Sequence, residues 1–309
     1  MLESLTHQLS RRQLNIDKIR LDAQELGLTA ITDVLANPED FVWIQNHVLK
    51  SSPTDFLNFA AMIPQQTKTY LIGATLSMSD KKAVFPELLG FTDYTFDIMP
   101  QEKNDNQQVF VATDSADITS LSPEAYADFI AECVQTVAKL GKPMVVLFTS
   151  NDSLALTAQA LEAAGIDFLQ ADASGDASRI KKKFDERARA ILLGSKKFWE
   201  GVDFERQDEL ILLVTRLPFT VPDDILIRKY AKRFKNPFYD FSVPLATLQL
   251  KQAIGRVNRR KDQKSVVVIL DKRLAGKTYA KKMVKNLRQA SRVDFAKIED
   301  ILQETKDFL

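Results

Sequence analysis

The sequence is short of the residues that hold metals and disulfides. It has one cysteine, Cys133, and two histidines, His7 and His47, far from it along the chain. One thiol cannot build a disulfide framework, a zinc site or an iron–sulfur cluster, so this cysteine and histidine content argues against a resident metal centre, and a reducing cytoplasm fits. Long apolar runs are lacking as well. No stretch approaches the roughly 18 consecutive apolar residues of a membrane helix, and the polar segment after Met1 does not read as a signal peptide. Overall charge is nearly balanced at +1, but the balance hides a segregation. Residues 251–292 carry 14 Lys and Arg against Asp262 and Asp271, so the rest of the chain is strongly acidic. Residues 179–197 hold eight Lys and Arg against two acids. Either cluster alone fits a solvated helix face; two beside the motifs below fit a polyanion partner.

The first 50 residues have helical periodicity interrupted at Asn37-Pro38, as in a helical hairpin or the end of a larger helical region. Thr69–Thr75 (TYLIGAT) reads as one buried strand, with no partner strand before it. Residues 80–122 are rich in turn formers, with a short apolar run at Val109–Val111. From Ser122 the pattern becomes regular. Ser122-Pro123-Glu124 is a helix start: a hydroxyl cap, proline in the first turn and an acid at the positive dipole end. Apolar runs at Met144–Phe148, Ile166–Leu169, Ala190–Leu193, Leu210–Val214 and Val266–Leu270 alternate with helical patterns at 152–164, 176–188, 223–235, 245–259 and 277–290. Strands apolar throughout, separated by helices, imply a doubly wound α/β domain with a mostly parallel sheet and ligands at the carboxyl ends of its strands.

The run QAIGRVNRR (252–260) carries the chemistry. On one helix Gln252, Arg256 and Arg259 fall at roughly 0°, 40° and −20°, a single stripe, with Ala253, Ile254 and Val257 turned to a buried face. Guanidinium groups offer forked, permanently charged donors that match phosphoryl oxygens. Gly255 inside this helix costs about 1 kcal/mol relative to alanine, which implies a close approach to the backbone there.

With these residues the sequence resembles the DinG/XPD branch of superfamily 2 helicases over most of residues 70–290. GATLS (73–77) is similar to the third helicase motif, VVLFTS (145–150) to the fourth, GSKKFWEGVDF (194–204) to the fifth and QAIGRVNRR to the sixth. VVVILDKRL (266–274) and RLPF (216–219) followed by Pro222 are further features of the branch, and the DinG-like end fits better. The resemblance implies a RecA-like second motor domain at 101–309, the last strand and exit of motor domain one at 69–100, and a helical remnant of an insertion or of motor domain one at 1–68. It assigns Arg256 and Arg259 as catalytic arginine fingers, and Gln252, Glu200, Gly201 and Asp203 to nucleotide. Thr149, Ser150, Gly194, Ser195 and Lys196 would meet the nucleic-acid backbone, and Ala74 and Thr75 would couple the two sites. Phe198 and Trp199 either stack on bases or pack in the core, and for Trp199 the core is the better reading.

The implied substrate is ATP with Mg2+, held mainly by a first motor domain in cis or trans, and the implied partner is single-stranded or forked DNA. No glycine-rich phosphate loop or acidic metal-binding motif stands in this sequence. Gly276-Lys277-Thr278 imitates the loop, but Asp271 occupies the position where a glycine is required. Asp185-Glu186 imitates the acidic motif and reads as an exposed helix end. The leading expectation is therefore the C-terminal half of an ATP-dependent DNA helicase, inactive alone. The alternatives are a non-catalytic nucleic-acid-binding or partner-docking module, and a nucleotidase using Gly276–Thr278.

Overall fold

Along the central strands successive residues face opposite ways, and both sets are apolar, so both faces of the sheet must be covered. The computed structural model describes residues 15–37, 41–45, 48–52, 59–63, 68–73, 77–79, 82–83, 89–91, 93–98, 103–170, 177–195, 197–200, 202–204, 208–220 and 234–309. They belong to two units. One takes Met1–Tyr70, Phe85–Tyr94 and Val221–Pro237; the other takes Leu71–Val84, Thr95–Thr220 and Phe238–Leu309.

In the first unit Asn15 caps helix α1 (Ile16–Glu25), its side chain accepting from the Lys18 amide at 3.1 Å. The helix stops at Gly27, whose φ of +64° a side chain would strain. Helix α2 (Thr29–Val34) follows, and Leu35 is fully buried. There the helical expectation for the first 50 residues ends. Strands β1 (Phe41–Gln45) and β2 (Val48–Ser52) form an antiparallel hairpin with Phe41 opposite Ser52. The β-branched and aromatic residues of FVWIQ favour a pleated strand over the weak helical period.

In the second unit β3 (Ser77–Ser79) and β4 (Lys82–Ala83) pair antiparallel. The buried strand expected at Thr69–Thr75 is not found: residues 71–73 are irregular, and Ile72 is 95% exposed. A strand needs a neighbour for its N–H and C=O groups, and no ladder partner stands beside this segment among the described residues.

The main sheet is parallel throughout its seven strands: β5 (Gln107–Ala112), β6 (Met144–Phe148), β7 (Leu169–Gln170), β8 (Ile191–Ser195), β9 (Glu209–Val214), β10 (Lys264–Ile269) and β11 (Arg292–Ala296). Their spatial order is β11-β5-β10-β9-β6-β8-β7. The helices are α3 (Pro123–Ala138), α4 (Asn151–Ala163), α5 (Ala177–Asp185), α6 (Lys197–Glu200), α7 (Val243–Arg256), α8 (Arg273–Gly276), α9 (Ala280–Leu287) and α10 (Ile298–Phe308). One face of the sheet presents Val109, Val145, Leu212 and Val267 to α5, α6, α7 and α9. The other presents Phe110, Val146, Leu213 and Val268 to α3, α4 and α10. This is the doubly wound α/β architecture expected from the alternating runs, in the RecA-like form implied by the resemblance.

The short run at Val109–Val111 proves to be the middle of a fully buried strand, second from the sheet edge. The helix start at Ser122 is as expected, its hydroxyl accepting from the Ala125 amide at 3.2 Å. Strand β11 and helix α10 were not foreseen, and the helical pattern at 223–235 lies almost wholly outside the described residues.

Candidate functional site: two polar clusters on one sheet

The carboxyl ends of β6 and β8 carry hydroxyl groups. Thr149 and Ser150 follow β6, and both are half-buried. Ser150 caps α4 by accepting from the Ser153 amide at 3.0 Å. Ser195, the last residue of β8, donates its hydroxyl to Asn151 Oδ1 at 2.7 Å, joining the two strand ends. Parallel strand ends of this kind, beside a helix N-terminus with spare amides, suit phosphate oxygens.

Gly194 stands one residue earlier and has a packing duty. A Cβ there would lie 2.6 Å from the Phe198 ring. Phe198 and Trp199 are 2% and 6% exposed, and the Trp199 indole donates to the Phe148 carbonyl at 2.8 Å. Both rings are therefore core residues, and base stacking by either is set aside. Gly194→Ala should destabilise the chain by about 1–3 kcal/mol through overpacking, read as a lower urea midpoint.

The arginines lie toward the other end of the sheet. Helix α7 runs against the strands, so its last turn reaches their amino ends. Gln107, the first residue of β5, donates to the Ile254 carbonyl at 3.0 Å and accepts from the Ser291 hydroxyl at 3.0 Å. The helix stops at Arg256, three residues before the expected end. Side-chain amides take over from helical bonding there. Gln263, fully buried, accepts from the Arg259 amide at 2.7 Å through Oε1 and donates to the Phe204 carbonyl at 3.0 Å through Nε2. Asn258 donates to the carbonyls of Asn106 at 3.0 Å and Gln263 at 2.7 Å. Arg259 is thus outside the helix, and the single helical stripe of Gln252, Arg256 and Arg259 is corrected.

The chain nevertheless gathers the arginines by another route. Arg256 donates to the Val202 carbonyl at 3.2 Å, and Arg259 Nε pairs with Asp203 Oδ2 at 3.2 Å. Asp203 Oδ1 is shielded from water and has no hydrogen-bond partner among the described residues. A buried orphan oxygen of this kind costs free energy unless a donor reaches it. Gln252 stands one turn before Arg256 on the same helix, half-buried. Among the described residues nothing outside its own helix approaches Gly255: a Cβ there would meet no heavy atom within 4 Å. Gly255→Ala should therefore raise stability by about 1 kcal/mol, measured as a higher thermal midpoint.

Ala74, Thr75, Lys196 and Gly201 lie outside the described residues, as does the side chain of Glu200. Asp185 differs from its expectation: its carboxylate is 3% exposed and pairs with Lys181 at 2.5 Å, one turn earlier on α5. The helix does end there and Glu186 is exposed, as expected, but the Asp185 carboxylate is held in a part-buried ion pair. Gly276 closes the four-residue helix α8 and Lys277 is extended at φ −88°, ψ 149°, so Gly276-Lys277-Thr278 forms no phosphate-wrapping turn. Asp271, 1% exposed, instead bonds the Leu217 amide at 2.8 Å and Arg273 at 2.6 and 2.9 Å. It ties the RLPF segment to the end of β10. Beside it Tyr126 donates to the Thr215 carbonyl, and burial pushes its phenol up to about 12.

Comparison with known proteins follows the same segments. The family model for the helicase C-terminal domain matches residues 133–290. The chain is 32% identical over 231 residues to a protein of Bacillus subtilis named 3'-5' exonuclease DinG, covering 70% of this chain and 25% of that protein. It is 33% identical over 118 residues to the Escherichia coli ATP-dependent DNA helicase YoaA, covering 37% of this chain and 19% of that one. It thus spans a quarter or less of the length of these relatives. A solved structure described as XPD_Helicase overlays at a TM-score of 0.44 and 18% identity, over 60% of this chain and 35% of the other. The motifs at β6, β8 and the end of α7 stand inside the matched residues, and the chain belongs to the DinG-like branch of the superfamily 2 helicases as their C-terminal helicase domain.

Proposed function

We propose that this chain is the second motor domain of an ATP-dependent DNA helicase, with Arg256 and Arg259 acting as arginine fingers. The observation that carries this reading is the convergence of Arg256, Arg259 and Asp203 at the end of α7. A nucleotide held by another motor domain presents phosphates that gain negative charge as the terminal phosphoryl group leaves, and guanidinium groups placed against that charge lower the barrier. Arg256 and Arg259 fit this role. The orphan oxygen of Asp203 fits a donor such as a sugar hydroxyl, and Gln252 adds an amide one turn away. Glu200 and Gly201 complete the nucleotide side by their place in the fifth motif. Thr149, Ser150, Ser195 and Lys196, with the backbone at Gly194, would hold a single DNA strand at the carboxyl ends of β6 and β8. Ala74 and Thr75 would link DNA contact to nucleotide contact.

With no phosphate loop in the sequence, the isolated chain is expected to hydrolyse ATP at background rate and to gain activity when a motor domain bearing that loop is supplied. An assay of phosphate release with and without single-stranded DNA tests this. Turnover by the isolated chain that rises with DNA and survives Arg256→Ala sinks the reading.

A further inference from the structure

The basic segment of the sequence is not spread evenly over the surface. Its two acids, Asp262 and Asp271, are both engaged, the first with Arg260 at 3.3 Å and the second with Arg273 at 2.6 Å. Other surface cations, inside that segment and outside it, also have a carboxylate: Lys272 has Asp117, Arg292 has Asp294 and Arg187 has Asp167. Lys277, Lys281 and Lys285 have none within ion-pair distance among the described residues, and all three are exposed. With Arg288 they line one open groove of about 530 Å³ between α9 and the edge strand β11, and no acid lines it.

Helical geometry puts Lys281, Lys285 and Arg288 in one stripe, at roughly 0°, 40° and −20°. The rise per residue places neighbouring charges about 6 Å and about 4.5 Å apart along the axis. The wider separation is comparable to the spacing of successive phosphates in a nucleic-acid backbone. The floor is apolar: Val284 lies between the cations, and Phe295 of β11 is 39% exposed. Arg288 sits 6.0 Å from the centroid of the Phe295 ring and donates to the Val293 carbonyl at 3.2 Å, which fixes it over the strand. A row of point charges beside a flat ring suits a chain that alternates phosphate and base. An acidic peptide offers its charges on flexible side chains and has no planar group for that ring.

The geometry points to a second nucleic-acid contact, in which this groove holds a sugar–phosphate backbone away from the hydroxyl cluster on β6 and β8. Five strand spacings separate β11 from β8, on the order of 24 Å. One nucleotide cannot touch both, so the groove takes a different stretch of strand. It stands whether or not Arg256 and Arg259 act on a nucleotide.

The test is fluorescence anisotropy of the full 309-residue chain with a fluorescein-labelled oligothymidylate, from about 50 to about 200 mM salt. The double variant Lys281→Gln/Lys285→Gln is expected to bind on the order of tenfold more weakly at the low-salt end. Its log–log salt slope should be shallower by about 1.4, two phosphate contacts' worth. Both lysines are exposed, so the fold is not at stake, and circular dichroism confirms it. Lys139→Gln/Lys306→Gln, which removes the same charge at exposed sites elsewhere, should leave affinity and slope near the parent's. An unchanged slope in the groove variant overturns the proposal, and so does an equal loss in the remote pair. Displacement of the oligonucleotide by poly-glutamate at the same or lower concentration of charge also overturns it, assigning the groove to an acidic protein segment.

Discussion

Asp271→Ala should cost the chain about 3–5 kcal/mol, the largest loss expected from any single polar substitution described here. The carboxylate is 1% exposed and carries four hydrogen bonds' worth of duty: Nε and Nη2 of Arg273, the Arg273 amide at 3.1 Å and the Leu217 amide at 2.8 Å. Its removal leaves a guanidinium only 22% exposed without its partner and a buried amide without an acceptor. Each of those carries a desolvation penalty that water cannot repair. Asp271→Asn keeps an acceptor for the Leu217 amide and loses the charge, so its loss should be smaller. Urea unfolding gives the answer, with the midpoint falling and the slope unchanged. A loss below about 1 kcal/mol would show that the network contributes little, as exposed pairs do.

Arg256→Ala should lower ATP turnover by about 10³-fold or more once the chain is combined with a nucleotide-binding motor domain. The effect belongs to the transition state, so turnover falls while single-strand affinity stays near that of the parent. Stability should change far less than turnover, because Arg256 stands in the last turn of its helix and its bond to the Val202 carbonyl is made at that half-buried end. Arg256→Lys is expected to restore only a small part of the rate, since one ammonium cannot reproduce the forked donors. The Arg259–Asp203 pair offers a matched comparison. With side chains 49% and 42% exposed it is worth under about 1 kcal/mol to the fold, so Arg259→Ala reports on catalysis with little loss of stability. Equal turnover by parent and Arg256→Ala protein would remove the finger assignment.

The sheet was legible where strands are buried on both faces. Met144–Phe148 and Leu210–Val214 are continuous apolar runs, and the structure sets them at the centre of the sheet. The edge was not. In β11, RVDFA, only Val293 is buried, and three of five residues are charged or small, so it carries no period that a sequence reading could take up. Thr69–Thr75 failed the opposite way: it has strand composition and no ladder among its described residues. The end of α7 shows what local pattern cannot see. Asn258 and Gln263 look like ordinary polar residues in a basic run, yet their amides replace backbone bonds and turn Arg259 out of the helix. Which residues hold the arginines follows from contacts between residues up to some 150 positions apart, as with Asn258 and Asn106. The arginines themselves, and Asp203 beside them, were readable from their motifs.

The tight seat of Phe198 against Gly194 bears on how related sequences are to be read. Any side chain at that position collides with a ring the core needs, whatever the strand end touches outside. A glycine retained there through evolution would therefore record the shape of the interior and say nothing about DNA. The informative columns of an alignment are the neighbours whose side chains the interior does not dictate: Ser195, with its hydroxyl at the rim, and Thr149 across from it.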